Sequence, residues 1–280
     1  MRAGHVSRAA LVRLAEHLAT LDSKDRNKIP GIGPRRAEII VAGACVFAEL
    51  MQRCNLPGFQ YSPLGLRDGL LAQMLADYDR STVSHRQIEA EREDAILAMC
   101  KQYRVDLKRA EEVRRLALQL FHELRRVHTL PPEYEGWLSA AGLLHEAGTF
   151  INRSGRHRHT YYLIANSEIF GFTPEQRHVI AAIGRYLGKT RPNPTDGPMK
   201  ALDSADQELV PKAVVLLRLA QAMTHGTDGS IIDLTAEVHR ERVTLKLTAK
   251  DSADLEVWML SKERACFREV FGRELDVEVL

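Results

Sequence analysis

The chain has 280 residues and a formal net charge of +2, and 45% of its residues are hydrophobic and 27% charged. This composition is ordinary for a soluble globular protein of two or three domains. The small net charge excludes a protein that binds nucleic acid over its whole surface. The longest apolar run, residues 39–48, is too short to span a bilayer. No apolar segment follows the basic N-terminus, so we expect no signal peptide, no membrane contact and a cytoplasmic location.

The cysteines do not form a metal-binding or disulfide pattern. They are scattered along the chain without a CxxC pair, at Cys45, Cys54, Cys100 and Cys266. This spacing fits neither a zinc site nor a disulfide framework. We therefore expect buried free thiols.

The first segment, residues 1–82, mixes helices and turns. Its leucines predict an opening amphipathic helix, because they recur with helical spacing at Leu11, Leu14, Leu18 and Leu21. The turn-forming residues 29–34 then precede a helix that we expect to run from Pro34 to about Arg53. Residues 59–62 alternate like a short strand. After a further helix, the polar residues 79–82 predict a domain boundary.

The second segment, residues 83–225, is predicted to be helical throughout. One stripe steps by four, three, four and three residues, as a core-facing helix does, through Val113, Ala117, Leu120, Leu124 and Val127. Further helices are expected over residues 137–147, 158–169, 174–187 and 211–225. The stretch 189–198 contains three prolines and is expected to be a loop.

In the last segment, residues 226–280, the hydrophobic period changes from helical to two. Alternating residues in 232–238 and 243–247 predict an antiparallel pair of strands. Residues 255–258 are expected to form a third strand, followed by a helix over 261–271 and a final strand over 275–280. The tail is therefore predicted to be a small α+β unit.

His145 and Glu146 lie in an apolar helical setting that is typical of a metal phosphohydrolase of the HD type. Such a site needs an upstream histidine, an adjacent His-Asp pair and a distal aspartate. The upstream position is Arg109 and the distal position is Gln221, which leaves too few donors for tight metal binding. Thr149 stands where an HExxH motif needs its second histidine. We therefore expect a degenerate site without metal, in which His145 and Glu146 are structural.

The most basic segment of the chain follows this pair. No acid occurs from residue 147 to residue 167, and five cationic or titratable side chains lie close together at Arg153, Arg156, His157, Arg158 and His159. Arginine forks match phosphate oxygens, and a helix N-terminus also favours anions. Two interpretations remain open. Either the segment contacts phosphate or polyphosphate, or one histidine caps the helix while the arginines face water.

Two weaker anion candidates lie in the first segment. Arg36 ends a Gly-Pro-rich turn that also lacks the lysine of a P-loop. Arg67 stands between Gly65 and Gly69, where a simple turn residue is an equally good interpretation. A local excess of basic residues over residues 24–36 fits either an anion-binding surface or an ordinary solvated face.

Several of these segments are collinear with one known family. They are residues 29–43, 62–69, 140–148, 157–164, 171–172 and 216–220. Taken together they resemble the exopolyphosphatase/guanosine pentaphosphate phosphatase (Ppx/GppA) family. The resemblance implies a mainly α protein in which residues 1–82 end the second lobe of an actin-like α/β module. An all-helical HD-like domain (83–225) and a small α+β domain (226–280) would follow.

The resemblance also implies the function. Family members hydrolyse the terminal phosphoanhydride of polyphosphate or guanosine pentaphosphate, and their helical part helps to hold the phosphate chain and to build dimers. Mg²⁺, the glycine-rich phosphate loops and the catalytic glutamate belong to a part that this chain lacks, so Mg²⁺ is implied by the family and not by residues present here. Glu38, Arg36 and Arg67 would lie on the cleft side of the remaining lobe.

We therefore expect the C-terminal, polyphosphate-binding part of such a phosphatase. Its partners would be polyphosphate or guanosine pentaphosphate, together with a second copy or a separate actin-like catalytic half, and no specific nucleic acid. Met1 would then begin a truncated or split product, or the protein would work without catalysis. Two alternatives remain: an autonomous HD-type metal phosphohydrolase acting on nucleotides, and a non-catalytic regulatory or oligomerisation module.

Overall fold

The computed structural model describes residues 4–61, 65–78, 83–226, 229–250 and 252–280. The chain is mainly helical, as predicted, and divides into two compact units, Met1–Arg80 and Ser81–Leu280. The predicted connector at residues 79–82 lies outside the described residues. Within the described part of the chain, no helix combines the length and the apolar character that crossing a membrane requires.

The first unit contains two short strands and five helices in its described part. They are β1 (Gly4–Ser7), α1 (Arg8–Thr20), α2 (Ser23–Arg26), α3 (Pro34–Ala37), α4 (Ile40–Arg53), β2 (Gly58–Tyr61) and α5 (Leu66–Tyr78). The strands pair antiparallel, with Gly4 opposite Tyr61. The predicted opening helix is confirmed as α1, which begins where the Ser7 hydroxyl accepts a hydrogen bond from the Ala10 amide at 3.3 Å.

The core of this unit lies between α1 and α4. It is small, and its buried side chains are those of Leu11, Ala15, Ala44 and Met51. The single helix predicted from Pro34 to Arg53 is wrong, because α3 ends at Ala37 and α4 begins at Ile40. Arg26 joins this break to α1: its Nε donates to the Leu18 carbonyl at 2.8 Å and its guanidinium donates to the Ala37 carbonyl at 3.2 Å. One of the basic residues in this region is therefore structural.

The second unit begins with a set of packed helices. Their bounds are α6 (Val83–Gln102), α7 (Leu107–Glu123), α8 (Arg125–His128), α9 (Tyr134–Leu144), a 3₁₀ helix (Ala147–Phe150), α10 (Arg156–Asn166), α11 (Pro174–Arg185), α12 (Gly197–Lys200) and α13 (Ser204–Ala222). The predicted stripe is confirmed on α7, where Val113, Ala117 and Leu120 are fully buried. Helices α9, α11 and α13 contribute most of the remaining core, so the centre of the unit is a helical bundle.

The predicted helix over residues 211–225 starts seven residues earlier than expected. Asp203 accepts a hydrogen bond from the Asp206 amide at 2.7 Å and so caps α13 before Ser204. Pro211 then lies inside the helix. Sequence reasoning placed the start at the proline because proline is favoured in a first turn. In this helix the stronger start signal is the aspartate upstream.

A three-stranded sheet and one long helix complete the second unit. They are β3 (Ile231–Val238), β4 (Arg242–Ala249), α14 (Asp254–Phe271) and β5 (Glu274–Val279). The predicted antiparallel pair is confirmed, with Leu234 opposite Leu247, and β5 pairs parallel to β4. The predicted strand at residues 255–258 is wrong, because these residues open α14. A four-residue apolar run is too short for its period to distinguish a strand from a helix.

Helix α7 holds the edge strand of this sheet. Three of its residues, spaced by four, present polar side chains to the backbone of β3. The Arg115 guanidinium donates to the Ile231 carbonyl at 2.6 Å, and the Gln119 amide donates to the Leu234 carbonyl at 2.8 Å. The Glu123 carboxylate accepts from the Ala236 amide at 3.0 Å. These contacts occupy edge groups that would otherwise pair with another chain.

Arg218 joins the bundle to α14. Its guanidinium donates to the Glu263 carboxylate at 2.6 Å and 3.0 Å, and also to the carbonyls of Tyr186 and Gly188. Both charged side chains are only 15% exposed. Buried residues of the sheet and of α14 belong to the same core cluster as the helices. The tail and the helices therefore share one core, and the division at residue 225 stays a prediction.

The prediction that the cysteines are buried is half wrong. Cys100 and Cys266 are buried, whereas Cys45 and Cys54 are exposed. Both exposed thiols lie at α4 or directly after it. This helix has a broad apolar surface and only a small core to pack against, so an apolar position on it does not guarantee burial.

Gly148 marks the closest approach between two elements in the second unit. A Cβ at this residue would lie 2.0 Å from the Arg156 carbonyl oxygen and 2.4 Å from the Thr160 amide nitrogen. The Thr160 hydroxyl accepts from the Gly148 amide at 3.0 Å and donates to the His145 carbonyl at 3.1 Å. Glycine therefore lets the 3₁₀ helix dock directly on the backbone of α10.

We expect Gly148→Ala to destabilise the second unit by about 3 kcal/mol or more, because backbone atoms cannot move away from the new methyl group as a flexible side chain would. Urea unfolding followed by circular dichroism would measure the loss. Gly136→Ala on α9 is the matched control. No side chain or neighbouring element in the described part of the chain lies within 4 Å of the position that a Cβ would take there, so it should stabilise by roughly 0.5–1 kcal/mol. Equal stability of the two variants would contradict the proposed contact.

Candidate anion site in the helical unit

His145 lies at the C-terminal end of α9 and is 1% exposed. Its Nδ1 lies 2.7 Å from the Gly142 carbonyl oxygen, which only accepts, so Nδ1 carries the proton and donates. Nε2 is buried and has no hydrogen-bond partner within the described residues. The backbone of α9 thus fixes one side of the ring and leaves the other side for an interaction with something else.

Two arginines approach His145 from other helices. Arg109 lies in the first turn of α7, where its amide donates to the capping Asp106 carboxylate at 3.3 Å. Arg156 is the first residue of α10, which begins after Gly155 in the left-handed conformation with φ 73°. Both side chains are half-buried, and the Nε atom of each is buried without a partner.

His157 follows Arg156 and also turns inward. Its Nδ1 is buried without a partner. Its ring fills the space beside Gly188, where a Cβ would lie 2.8 Å from the ring Cδ2. We name the group formed by Arg109, His145, Glu146, Arg156 and His157 the His145 cluster. Its members come from α7, from the end of α9 and from the start of α10.

The electrostatics of the His145 cluster are those of a cationic site. Burial lowers the pKa of His145, and the charges of Arg109 and Arg156 lower it further, while Glu146 opposes them. Burial and the neighbouring Arg156 lower the pKa of His157 to about 4. The imidazoles are therefore neutral at pH 7, and the two guanidiniums supply the positive charge.

Glu146 is the only acid among the charges that shift these pKa values. It is half-buried and forms no ion pair within 4 Å in the described part of the chain. One carboxylate against two guanidiniums leaves the cluster with an excess of positive charge. Such an arrangement suits an anion better than a cation.

The residues present do not fit a metal. Across the described ranges, no group of three or more histidine, cysteine, aspartate or glutamate side chains could hold a metal ion. Gln221, the distal position of an HD-type site, is buried near the end of α13. An arginine in the upstream position adds a repulsive charge where a ligand would be required. We therefore derive no step that uses Mg²⁺ at this site.

Family models match both units of the chain. The model of Ppx/GppA phosphatase domain III matches residues 91–264, and the model of the Ppx/GppA phosphatase family matches residues 1–78. The chain belongs to the Ppx/GppA phosphatase family. The resemblance inferred from collinear segments is thereby confirmed.

Curated relatives of this Ppx/GppA chain share a single description, guanosine-5′-triphosphate,3′-diphosphate pyrophosphatase. The protein from Aeromonas salmonicida is 25% identical over 80% of this chain and 43% of its own length. The one from Aliivibrio fischeri is 25% identical over 77% of this chain and 40% of its own length. The one from Pseudoalteromonas translucida is 27% identical over 56% of this chain. The chain thus spans less than half the length of these relatives.

The structure separates the five basic residues of the Ppx/GppA chain that were predicted to bind polyphosphate. Arg153 and Arg158 are exposed and His159 is half-buried, whereas Arg156 and His157 join the His145 cluster. The interpretation in which a histidine caps the helix is wrong, because no side chain caps α10. The segment therefore presents two surfaces, one to solvent and one to the interior.

The candidates of the first unit do not form a comparable site. Arg36 is exposed and lines a shallow depression with Gly31, Gly33, Pro34 and Arg35. Helix α3 has only four residues, which is too short for an aligned helix dipole. Arg67 is exposed in the first turn of α5. Their role in binding phosphate stays a prediction.

Sequence reasoning missed three residues that face the His145 cluster in this Ppx/GppA chain. Arg185 affects the pKa of His157, and Lys262 and the cluster arginines affect the pKa of His225, which burial lowers. His225 follows Gln221 by four residues, so helical spacing from the distal position could have found it. Arg185 and Lys262 come from α11 and α14, and no local pattern connects them to the site.

We expect His157 to make this chain sensitive to acid. Its folded-state pKa of about 4 lies below the ordinary value, so between about pH 6.5 and pH 4 only the unfolded chain is protonated there. Stability is therefore complete above this range and is lost as the pH falls. Urea unfolding at pH 7.5 and pH 5 should show that His157→Gln loses less stability than the wild type, by about 1 kcal/mol or more.

The control for this experiment is His239→Gln, since His239 is exposed in the turn between β3 and β4. This variant should lose as much stability between the two pH values as the wild type does. If His157→Gln also matched the wild type, the ring of His157 would not be held in its neutral form.

Proposed function

We propose that this chain is the phosphate-chain-binding, C-terminal part of a phosphatase that hydrolyses the terminal phosphoanhydride of guanosine pentaphosphate or polyphosphate. Membership of the Ppx/GppA family supports the reaction class. The names of the curated relatives favour guanosine pentaphosphate as the substrate. The observation that carries the binding role is the exposed pair Arg153 and Arg158 in a stretch without acids.

The proposal includes a division of labour between domains. Residues 1–82 would end an actin-like lobe, residues 83–225 would form an HD-like domain and residues 226–280 a small α+β domain. Mg²⁺ and the catalytic groups would belong to the actin-like part, which corresponds to the portion of the relatives that this chain does not cover. We place the activity in the cytoplasm, where nucleotides and polyphosphate are available.

An exposed apolar face on α4 supports a protein partner. Val46, Phe47 and Leu50 lie on one side of this helix, and more than half of each side chain is exposed. Contiguous apolar surface of this kind is typical of interaction sites. We propose that the partner is a separate actin-like catalytic half, or a second copy of the chain in a homodimer.

Binding of a phosphate chain tests the proposed function directly. We expect Arg153→Ala/Arg158→Ala to weaken binding of medium-length polyphosphate by about 10-fold or more, because each charge-assisted contact to phosphate is worth roughly 1.5 kcal/mol or more. Fluorescence anisotropy with labelled polyphosphate at several salt concentrations would measure the affinity and its salt dependence.

The matched control removes the same charge elsewhere. Arg125 and Arg126 are exposed on α8, so Arg125→Ala/Arg126→Ala should leave binding within about 3-fold, the range that screened long-range charge explains. Salt-insensitive binding, or equal losses in the two double variants, would contradict a site at Arg153 and Arg158.

The autonomous HD-type phosphohydrolase makes a different prediction, because it needs a resident metal. The lack of a three-ligand group in the described residues argues against it. We expect purified chain to contain substoichiometric transition metal by mass spectrometry and to show no metal-stimulated phosphatase activity by itself. One tightly bound metal per chain that is lost in His145→Ala would favour the alternative.

A further inference from the structure

The His145 cluster contains four buried nitrogen atoms that have no hydrogen-bond partner in the described part of the chain. They are Arg109 Nε, His145 Nε2, Arg156 Nε and His157 Nδ1. Buried polar atoms in folded proteins nearly always have a partner, so a lone exception already requires an explanation. Four exceptions on side chains that interact electrostatically with one another indicate a ligand.

The charges of the cluster define the kind of ligand. The guanidiniums of Arg109 and Arg156 both lower the pKa of His145, and Glu146 opposes them. Two like charges held together in a partly buried place repel each other unless an anion lies between them. The start of α10, an eleven-residue helix whose N-cap has no side-chain hydrogen bond, adds unpaired amides on the same side.

We infer that the His145 cluster binds inorganic phosphate at the place where an HD-type enzyme holds its metal. Arg109 and Arg156 would contact the phosphate oxygens, and His145 would contact one further oxygen. The site lies in the interior of the helical unit and is different from the exposed pair Arg153 and Arg158. The inference goes beyond the proposed function and does not depend on it.

The tautomer of His145 selects among oxyanions. Nδ1 donates to the Gly142 carbonyl, so the neutral ring presents an unprotonated Nε2, which accepts. Hydrogen phosphate carries one P–OH group that donates to this nitrogen, while its other oxygens accept from the guanidiniums. Sulfate has no proton at neutral pH and would leave Nε2 without a donor. A buried acceptor that lacks a donor discriminates strongly against such an analogue.

The cluster is accessible from solvent at one end. Arg109, Glu146 and Arg156 are half-buried, and His225, which interacts with all three electrostatically, is exposed. His145 closes the inner end at 1% exposure. A small anion therefore enters past the arginines without opening of the core, whereas internal phosphates of a long chain carry no P–OH group for His145.

Thermal unfolding in the presence of inorganic phosphate tests the inference. At constant ionic strength, replacing chloride by phosphate should raise the Tm of the wild type progressively, since a ligand stabilises the state that binds it. Arg109→Met removes one of two repelling charges and keeps an apolar stem of similar length. We expect it to have a higher Tm than the wild type in chloride and to lose the response to phosphate.

Calorimetric titration gives the affinity itself. The loss in Arg109→Met should be about 10- to 100-fold, the value of one hydrogen-bonded charge, and Arg156→Met should behave in the same way. Glu146→Gln removes the opposing carboxylate and should bind phosphate more tightly than the wild type. Arg158→Met, two residues along α10 and exposed, is the matched control and should retain the full response.

Three results would overturn the inference. The first is a wild-type Tm that does not distinguish phosphate from chloride at equal ionic strength. The second is an Arg109→Met variant that is less stable than the wild type in chloride and still responds to phosphate, which is the behaviour of a purely structural arginine. The third is a response to sulfate as strong as that to phosphate, because the assigned tautomer would then play no part.

The same variants separate this inference from the proposed function. Arg153→Ala/Arg158→Ala should lose polyphosphate binding and keep the response to inorganic phosphate, while Arg109→Met should show the opposite pattern. If tripolyphosphate competes with inorganic phosphate for the wild type but does not bind Arg109→Met, the interior site is the end of the phosphate-chain site, and its separation from Arg153 and Arg158 is wrong.

Discussion

The backbone contact between Gly148 and α10 determines the geometry of the candidate site. The Thr160 hydroxyl bridges the Gly148 amide and the His145 carbonyl, and the absence of a side chain at Gly148 lets the two segments meet at backbone distance. Because α10 is held there, its first residues, Arg156 and His157, turn toward His145. Without this contact the same residues would form one more exposed basic segment.

Within this geometry, the chain replaces the charge of a bound metal by charge of its own. An HD-type site surrounds a cation with imidazoles and carboxylates, and the cation then attracts phosphate. Here Arg109 occupies the upstream ligand position, and Arg156 adds a second guanidinium. Neither charge depends on a cofactor, and neither activates water as a metal does. The arrangement therefore fits recognition of an oxyanion without hydrolysis.

The helices that form the site also hold the rest of the second unit together. Helix α7 carries Arg109 in its first turn and clasps the edge strand β3 further along with Arg115 and Gln119. Helix α13 ends beside the site and binds α14 through Arg218. A change at the site is thus transmitted to the sheet through packed helices. This connection explains why one family model extends from α6 into α14.

The sequence alone determined the mainly helical character, the stripe on α7, the antiparallel pair β3–β4 and the family, since hydrophobic periods and collinear motifs are local properties of the chain. It also located His145, Arg109 and the basic segment. It did not determine that residues 255–258 belong to a helix or that Cys45 is exposed. Only the tertiary structure decided which basic residues face the interior, because a helical period defines a face but not its partner. The Gly148 contact with α10 makes that choice, since it orients Arg156 and His157 inward and leaves Arg153 and Arg158 in solvent.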